Sequence, residues 1–380
     1  MFGPLPVFFL GALAVLIRED LGFSEAKLGA TVAVFFAFAA LGAAASGRLA
    51  DRIGARRALR IGLAATLVAL IALAFATSWW QLPAALAVAG VGHAVLQVAS
   101  NLLLAHDVSP QIQGVAFGIK QSAIPAATLT AGASVPIIGT QLGWRWTYGI
   151  AAIVAALVLV LHGRWRGRAG RRLVQRPLLP PAHAQAFTRP ELLALSVGVG
   201  LGAAASNTLA AFLVAYAVES GMGVGRAGLL LAAASAIGLL TRIVIGWLAD
   251  SRGATDLAWV ATMLAVGGLS FAALPVATGD TLLIWAAAAV AFAAGWGWPG
   301  LLTFIVARRN AHEPASATGL TQVGVFIGAV IGPLMFGLTV SAFSYATAWR
   351  GAAAAQLLGA LLLFVVRGLR RQRFRPSAAT

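Results

Sequence analysis

Long apolar runs separated by short polar turns make up almost the whole chain. Runs of about 20 apolar residues recur, which is the length that crosses the roughly 30 Å core of a bilayer as a helix. The predicted spans are residues 3–17, 28–47, 58–77, 83–105, 113–137, 146–161, 191–218, 227–247, 257–277, 281–307, 319–343 and 346–366. The pattern predicts an all-α membrane protein with twelve transmembrane helices. The first span begins without the basic start or cleavage site of a signal peptide, so we expect a short first helix or a late start.

Two segments of the sequence, 22–54 and 221–253, repeat one pattern. At a constant offset the matched positions are Gly22, Gly29, Gly47, Ala50, Asp51 and Gly54 with Gly221, Gly228, Gly246, Ala249, Asp250 and Gly253. A second repeat aligns Gly118 and Gln121 with Gly319 and Gln322. Such duplication predicts two pseudo-symmetric six-helix bundles around a central cavity. The predicted domains are the bundles 1–161 and 191–366, an irregular cytoplasmic linker 162–190 and a basic cytoplasmic tail 367–380.

The charges of the chain indicate its orientation rather than a charged partner. The chain is 60% hydrophobic and only 10% charged, against about 25% charged residues in a soluble domain. Its net charge is +16, but most of the 27 Lys and Arg residues fall in alternate turns and in the tail. By the positive-inside rule this predicts a multi-pass protein of the plasma (inner) membrane with both termini cytoplasmic, which contacts lipid and binds no nucleic acid. The chain has no cysteine, which excludes disulfides and thiolate chemistry.

The turn Gly47-Arg48-Leu49-Ala50-Asp51-Arg52-Ile53-Gly54 resembles the signature between helices two and three of the major facilitator superfamily. A weaker copy, from Gly246 to Gly253, falls between helices eight and nine. The resemblance implies a secondary transporter that works by alternating access. It also implies a latch of the outward-facing state formed by Gly47, Asp51, Arg52, Gly54, Gly246, Asp250 and Gly253.

Three residues of the implied latch have a physical reason to be there. Gly47 lets two helices approach closely, Gly54 permits a tight turn, and Asp51 can meet a helix N-terminus or an arginine. Alternatively, the charges only end helices and set the topology. Span four lacks the arginine of the superfamily's drug antiporters, and span five lacks their G-P-x-x-G-G turn. These departures weaken a drug-export interpretation without excluding it.

Polar residues inside predicted spans are the candidates for substrate contact, because each is costly there. They are His93, Gln97, Asn101, Lys120, Gln121, Asn207, Trp296, Trp298 and Gln322. None of the 11 acidic residues falls near the middle of a span, so Lys120 needs water, proton loss or a counter-ion from outside. A negatively charged substrate would supply that counter-ion. The alternative is a lysine that snorkels to the cytoplasmic side, which we also expect of Arg242.

The sequence therefore predicts a carrier of a small organic or inorganic anion that moves with protons. Lys120 would hold the anion, and Gln97, Asn101, Gln121 and Gln322 would donate hydrogen bonds to its polar edge. Gly118-Ile119-Lys120-Gln121 resembles the cyanate-permease-like branch of the superfamily. His93 is the proton-coupling candidate or a packing group, and Asn207, Trp296 and Trp298 would contact the substrate or line the cavity.

Motifs of enzymes and ATP-driven pumps do not occur in the sequence. It contains no G-x-S-x-G elbow, no H-E-x-x-H and no phosphate-binding G-x-x-x-x-G-K-[ST], and its five histidines lack ligand spacing. We expect a monomer that is not an enzyme and needs no cofactor or metal. Two other functions stay open: efflux of a drug or metabolite by proton antiport, and a non-transporting membrane sensor or assembly partner.

Overall fold

Helices form all of the regular structure in the described part of the chain. The structure, a computed structural model, describes residues 1–107, 120–164, 186–252, 256–277, 279–310 and 312–373. Residues 165–185 of the predicted linker and residues 374–380 of the predicted tail lie outside the described residues. The described part of the tail continues the last helix as far as Arg373.

Most of the helices are long. In chain order they are α1 (Leu5–Ala12), α2 (Ala14–Leu21), α3 (Glu25–Ile53), α4 (Ala55–Ala74), α5 (Gln81–Asp107), α6 (Ala123–Ser134), α7 (Trp144–Arg164), α8 (Arg189–Glu219), α9 (Val224–Arg252), α10 (Leu257–Ala273), α11 (Thr281–Val290), α12 (Pro299–Arg309), α13 (Pro314–Ala342) and α14 (Tyr345–Arg373). A π-helical turn, Val135–Gly139, extends α6, and a second one, Ala291–Gly295, follows α11. We call α1–α7 the first half of the chain and α8–α14 the second half.

Eleven helical segments of the described chain are long and apolar enough to cross a membrane. They overlap the second to twelfth spans predicted from the sequence. The first predicted span, 3–17, is instead divided between α1 and α2, which meet at Leu13, where the backbone leaves helical geometry (φ −97°, ψ 7°). All eight residues of α1 are buried, so this broken segment lies among other helices and not at the lipid-facing surface.

Left-handed glycines make the turns at both ends of the helices. Gly22 (φ 61°), Gly143 (φ 95°) and Gly221 (φ 92°) lie at one end, which we call the turn face. Gly54 (φ 84°) joins α3 to α4 at the other end, where Arg48 to Arg60, the start of α8 and the end of α14 lie; we call this end the basic face. The positive φ of Gly54 confirms that this position requires a residue without a side chain.

The two halves touch through small residues toward the turn face. A Cβ atom on Gly29 of α3 would lie 2.2 Å from the carbonyl oxygen of Pro333 in α13, so only glycine permits this approach. Similarly, a Cβ on Gly132 of α6 would lie 2.5 Å from the backbone nitrogen of Ala232 in α9, and one on Gly11 of α1 would lie 2.7 Å from the carbonyl oxygen of Ala210 in α8. The turn face is therefore closed by direct backbone contact between the halves.

An ion pair ties the last helix to the basic face of the second half. Asp256 caps α10 and receives two hydrogen bonds from Arg367, at 2.6 and 2.7 Å. Those bonds lower the pKa of the Asp256 carboxyl from its ordinary value of 3.8 to about 2. Because the folded value is the lower one, the stabilisation is complete above about pH 4 and is lost as the pH falls toward 2.

We expect Asp256→Ala to lower the thermal unfolding midpoint of the detergent-solubilised protein more than Asp280→Ala does. Asp280 is a matched control, because it caps α11 through the backbone of Leu283 without an arginine pair in the described residues. Both variants lose a cap worth about 1 kcal/mol, and only Asp256→Ala also loses the ion pair, worth about 0.5 kcal/mol when half-exposed. Equal losses at neutral pH, or a difference that does not shrink as the pH falls from about 4 toward 2, would contradict this account.

Candidate transport site

Lys120 lies just before α6 and reaches across to α5. Its Nζ donates a hydrogen bond to Oδ1 of Asn101 at 2.7 Å, and the side chain is half-buried. Among the described residues no carboxylate pairs with it. The sequence predicted that Lys120 and Asn101 would act together, and the structure places them in contact. It also leaves the ammonium group without a fixed negative partner in the described part of the chain.

Arg242 of α9 points at the same segment from the second half. Its guanidinium donates to the backbone carbonyl of Gln121 at 3.3 Å and to that of Trp296 at 2.6 Å. It also lies 5.6 Å from the centre of the Trp296 ring. The expectation that Arg242 snorkels toward the cytoplasmic end of its helix was therefore wrong. The guanidinium instead bridges the first half, at Gln121, and the second half, at Trp296.

A proline explains why the carbonyl of Gln121 is free to accept this bond. Within a helix that carbonyl would bond to the backbone N–H four residues later, but that residue is Pro125, which has none. An unpaired carbonyl is costly away from water, so it needs a donor from elsewhere. Arg242 supplies it. The spacing of Gln121 and Pro125 is the sequence signal that could have identified Arg242.

The same arrangement occurs at the second π-helical turn. Pro299 has no N–H for the carbonyl of Gly295, four residues earlier, which accepts side-chain donors instead. The donors are Ser206 at 2.7 Å, Gln356 at 2.9 Å and Trp298 at 3.0 Å. These bonds fix the segment that carries Trp296.

The two predicted tryptophans have different environments. Trp296 is 6% exposed and packs edge-on against Phe8 of the first half, with ring centres 5.8 Å apart. Trp298 is 1% exposed and packs in a core cluster of the second half that includes Val199 and Leu264. Of the two tryptophans, Trp296 therefore contacts a cation, Arg242, and Trp298 packs in the core of the second half.

His93 lies on α5, the helix that carries Asn101. It is 8% exposed, its ring centre is 5.5 Å from that of Phe35, and its Nδ1 faces Gly3 of the first half. That nitrogen is buried and has no hydrogen-bond partner in the described residues. A buried polar atom without a partner is unusual in a purely structural histidine.

The remaining polar candidates are less closely connected to the cations. Gln97 and Gln121 are half-buried and Gln322 is exposed, and Asn207, which is 9% exposed, donates to the carbonyl of Ala203 in its own helix. Within the described ranges no side-chain hydrogen bond links Gln97, Asn207 or Gln322 to Lys120. Their role in substrate contact stays a prediction.

The residues of the implied latch make few contacts in this structure. Asp51 and Arg52 are exposed, and Asp51 makes no ion pair with the described residues. A Cβ atom added at Gly47 or Gly246 would meet no other atom within 4 Å, so the predicted close helix approach at Gly47 does not occur here. Gly253 and the side chain of Asp250 lie outside what the structure describes.

Eleven helical segments of the described chain are long and apolar enough to cross a membrane, and Lys120 and Arg242 converge where the two halves of the chain meet. Residues 5–279 match the family model of the Major Facilitator Superfamily, and the chain belongs to that family. It is thus a multi-pass membrane transporter and not an enzyme. The predicted resemblance to this superfamily is confirmed.

Curated relatives cover most of the chain and differ in their named substrates. An MFS-type efflux pump of Mycolicibacterium smegmatis is 25% identical over 95% of this chain and 85% of its own length. A chloramphenicol resistance protein of Streptomyces lividans is 30% identical over 88% of this chain and 85% of its own length. A gallate transporter of Pseudomonas putida is 25% identical over 90% of this chain and 83% of its own length.

A solved structure shares the fold at low sequence identity. It is a bacterial homolog of the human lysosomal transporter Spinster in an inward-facing, unoccupied conformation. The match has a TM-score of 0.72 at 18% identity and covers 100% of this chain and 96% of the other. This similarity shows the fold alone.

Proposed function

We propose that the protein is a secondary active transporter that moves a small organic anion, of the carboxylate class, together with protons. The observation that carries this proposal is the convergence of Lys120 and Arg242 on the segment at Gln121. One cation comes from each half, and no carboxylate of the described residues neutralises either.

Lys120 and Arg242, two positive charges that converge on one segment, would be stabilised by an anion bound between them. Like charges repel strongly where the dielectric constant is low, and an unpaired buried charge costs several kcal/mol. A substrate carboxylate between Lys120 and Arg242 would remove both costs. Asn101, Gln121, Gln97 and Gln322 would bond its remaining polar atoms, and the Trp296 ring would bind a flat apolar part.

The proposed layout has twelve transmembrane helices in two six-helix bundles around the cavity. In it α1 and α2 together form the first helix, and α11 and α12 form the tenth. The basic face and both termini are cytoplasmic, as the distribution of arginines favours. Because the halves touch near the turn face, the cavity would open to the cytoplasm, and the two bundles would rock to expose it to the other side.

Proton coupling is assigned to His93. An anion bound at Lys120 offsets the repulsion that a second positive charge on His93 would meet. The unpartnered Nδ1 offers a place for that proton. Anion and proton would then bind together and cross together.

The named relatives favour two substrate classes. The gallate transporter supports a carboxylate, because gallate is an aromatic acid. The efflux pump and the chloramphenicol resistance protein support efflux of a drug or metabolite instead, and the aromatic contact of Trp296 with Phe8 would suit an apolar cargo.

Uptake into proteoliposomes separates these two functions. We expect radiolabelled aromatic and aliphatic monocarboxylates to accumulate when the outside is acidic, and accumulation to stop when a protonophore removes the pH gradient. The control is the same vesicles without protein. Transport of chloramphenicol or lipophilic cations with no carboxylate uptake would reject the anion proposal and support efflux.

A further inference from the structure

A buried carboxylate lies where the two halves meet on the turn face. Glu25, the first residue of α3, is 8% exposed. Its Oε1 accepts hydrogen bonds from Arg18 of α2 and, at 2.7 Å, from the hydroxyl of Tyr345 in α14. Its Oε2 is buried and has no hydrogen-bond partner among the described residues.

We propose that Glu25 is a protonatable latch of the turn face and that a proton on its carboxyl group favours closure. This inference rests on the alternating access of the proposed function, since it requires a turn face that opens and closes. It adds to the anion site a second group whose charge controls the transport cycle.

The contacts of Glu25 divide between those that opening breaks and those that it keeps. Arg18 belongs to the first half, as Glu25 does, so this pair can persist in both states. Tyr345 belongs to the second half, and so does Ser341, whose hydroxyl accepts a hydrogen bond from the backbone of Ala26 at 2.9 Å. Opening therefore separates Glu25 from Tyr345 and exposes Oε2 to water.

The helices packed around Glu25 determine which charge state the closed face prefers. Besides Arg18 of α2 and Tyr345 of α14, Glu219 at the end of α8 lies within electrostatic reach of Tyr345. In this contact α13 presents only uncharged groups, Gly337 and Ser341. Two other charged residues of this face are engaged elsewhere: Lys27 lies over the ring of Trp79, and Asp20 is paired with Arg145.

The balance of these terms favours the neutral acid when the face is closed. Closure takes Oε2 out of water without giving it a donor from the described residues, and it brings Glu25 against Tyr345, which lies in the field of the negative charge of Glu219. Both effects penalise the carboxylate more than the neutral acid, because burying a charge costs more than burying an uncharged O–H group. The attraction of Arg18 favours the carboxylate, but this pair lies within the first half and acts in both states, and the Tyr345 hydroxyl can donate to either form.

Distances between spin labels on the two halves test the proposal without any substrate. The chain has no cysteine, so Gln141→Cys and Thr281→Cys introduce one label on each half, both at exposed positions near the turn face. In nanodiscs, we expect the population with a short label-to-label distance to increase when the pH is lowered from about 8 to about 5. With Glu25→Gln added, the short distance should predominate at both pH values.

Two further variants make the test specific. Asp20→Asn removes a carboxylate of the same face whose bonds to described residues, Trp144 and Arg145, all lie within the first half, and it should keep the parental pH response. Tyr345→Phe removes the hydroxyl that joins the halves and should reduce the short-distance population at both pH values. This variant also tests the latch if Glu25→Gln does not fold.

The proposal is overturned if Glu25→Gln keeps the parental pH response, or if Tyr345→Phe leaves the distances unchanged. Neither result tests the proposed anion site, because the labels report closure and not transport. Conversely, closure on acidification without carboxylate uptake would contradict the proposed function and still support the role of Glu25.

Discussion

Lys120→Ala is expected to abolish carboxylate uptake in proteoliposomes while the protein still folds. Removing one member of a buried charge pair typically costs about 2–5 kcal/mol, which corresponds to a loss of roughly 30-fold to several thousand-fold. Here the other member is the substrate, so the loss falls on the affinity for the anion. Lys27→Ala is the matched control. It removes the chain's other lysine, which lies near the turn face over Trp79.

Asn101→Asp separates the charge of Lys120 from its structural role. The new carboxylate would occupy the place of the Oδ1 atom that already accepts the bond from Lys120. It would neutralise the ammonium group from within the protein, so uptake should fall although Lys120 is present. Uptake that survives both Lys120→Ala and Asn101→Asp, in protein that elutes as a single species, would show that the anion does not bind at Lys120.

The positions of the helices could be predicted from the sequence because lipid imposes a simple rule. Every backbone group must be paired within its own segment, so span length follows directly from apolar length. Eleven of the predicted spans accordingly overlap helical segments that are long and apolar enough to cross a membrane. The glycine turn at Gly54 was also predictable, because a left-handed backbone leaves few residue choices.

Contacts between distant helices were not predictable from local pattern. The break at Leu13 leaves no trace in hydropathy, since both α1 and its surroundings are apolar. The direction of Arg242 depends on a free carbonyl in another helix, and hydropathy alone favours a snorkelling arginine. The close approach expected of Gly47 depends on which state the two halves adopt, and with the turn face closed its neighbourhood is open.

The glycine-rich stretch of α13 shows both what the sequence predicts about a helix contact and what it leaves open. Its glycines at 324, 328 and 332 repeat every fourth residue and therefore lie on one face of the helix. The sequence indicates that this face meets something closely, but not which helix. In the structure the partner is α8, which presents Ser196, Gly200 and Ala204 at the same spacing.

Gly328→Ala is accordingly expected to destabilise the protein, although alanine is the better helix former. Its Cβ would lie 2.0 Å from the carbonyl oxygen of Gly200, so α8 and α13 must move apart, and such overpacking costs about 1–3 kcal/mol. Gly319→Ala is the control on the same helix, because no atom lies within 4 Å of its Cβ position and it gains up to about 1 kcal/mol of helix propensity. Thermal unfolding followed by size-exclusion chromatography should show a lower midpoint for Gly328→Ala and an equal or higher one for Gly319→Ala. If the two variants unfold at the same temperature, backbone contact between α8 and α13 does not hold the second half together.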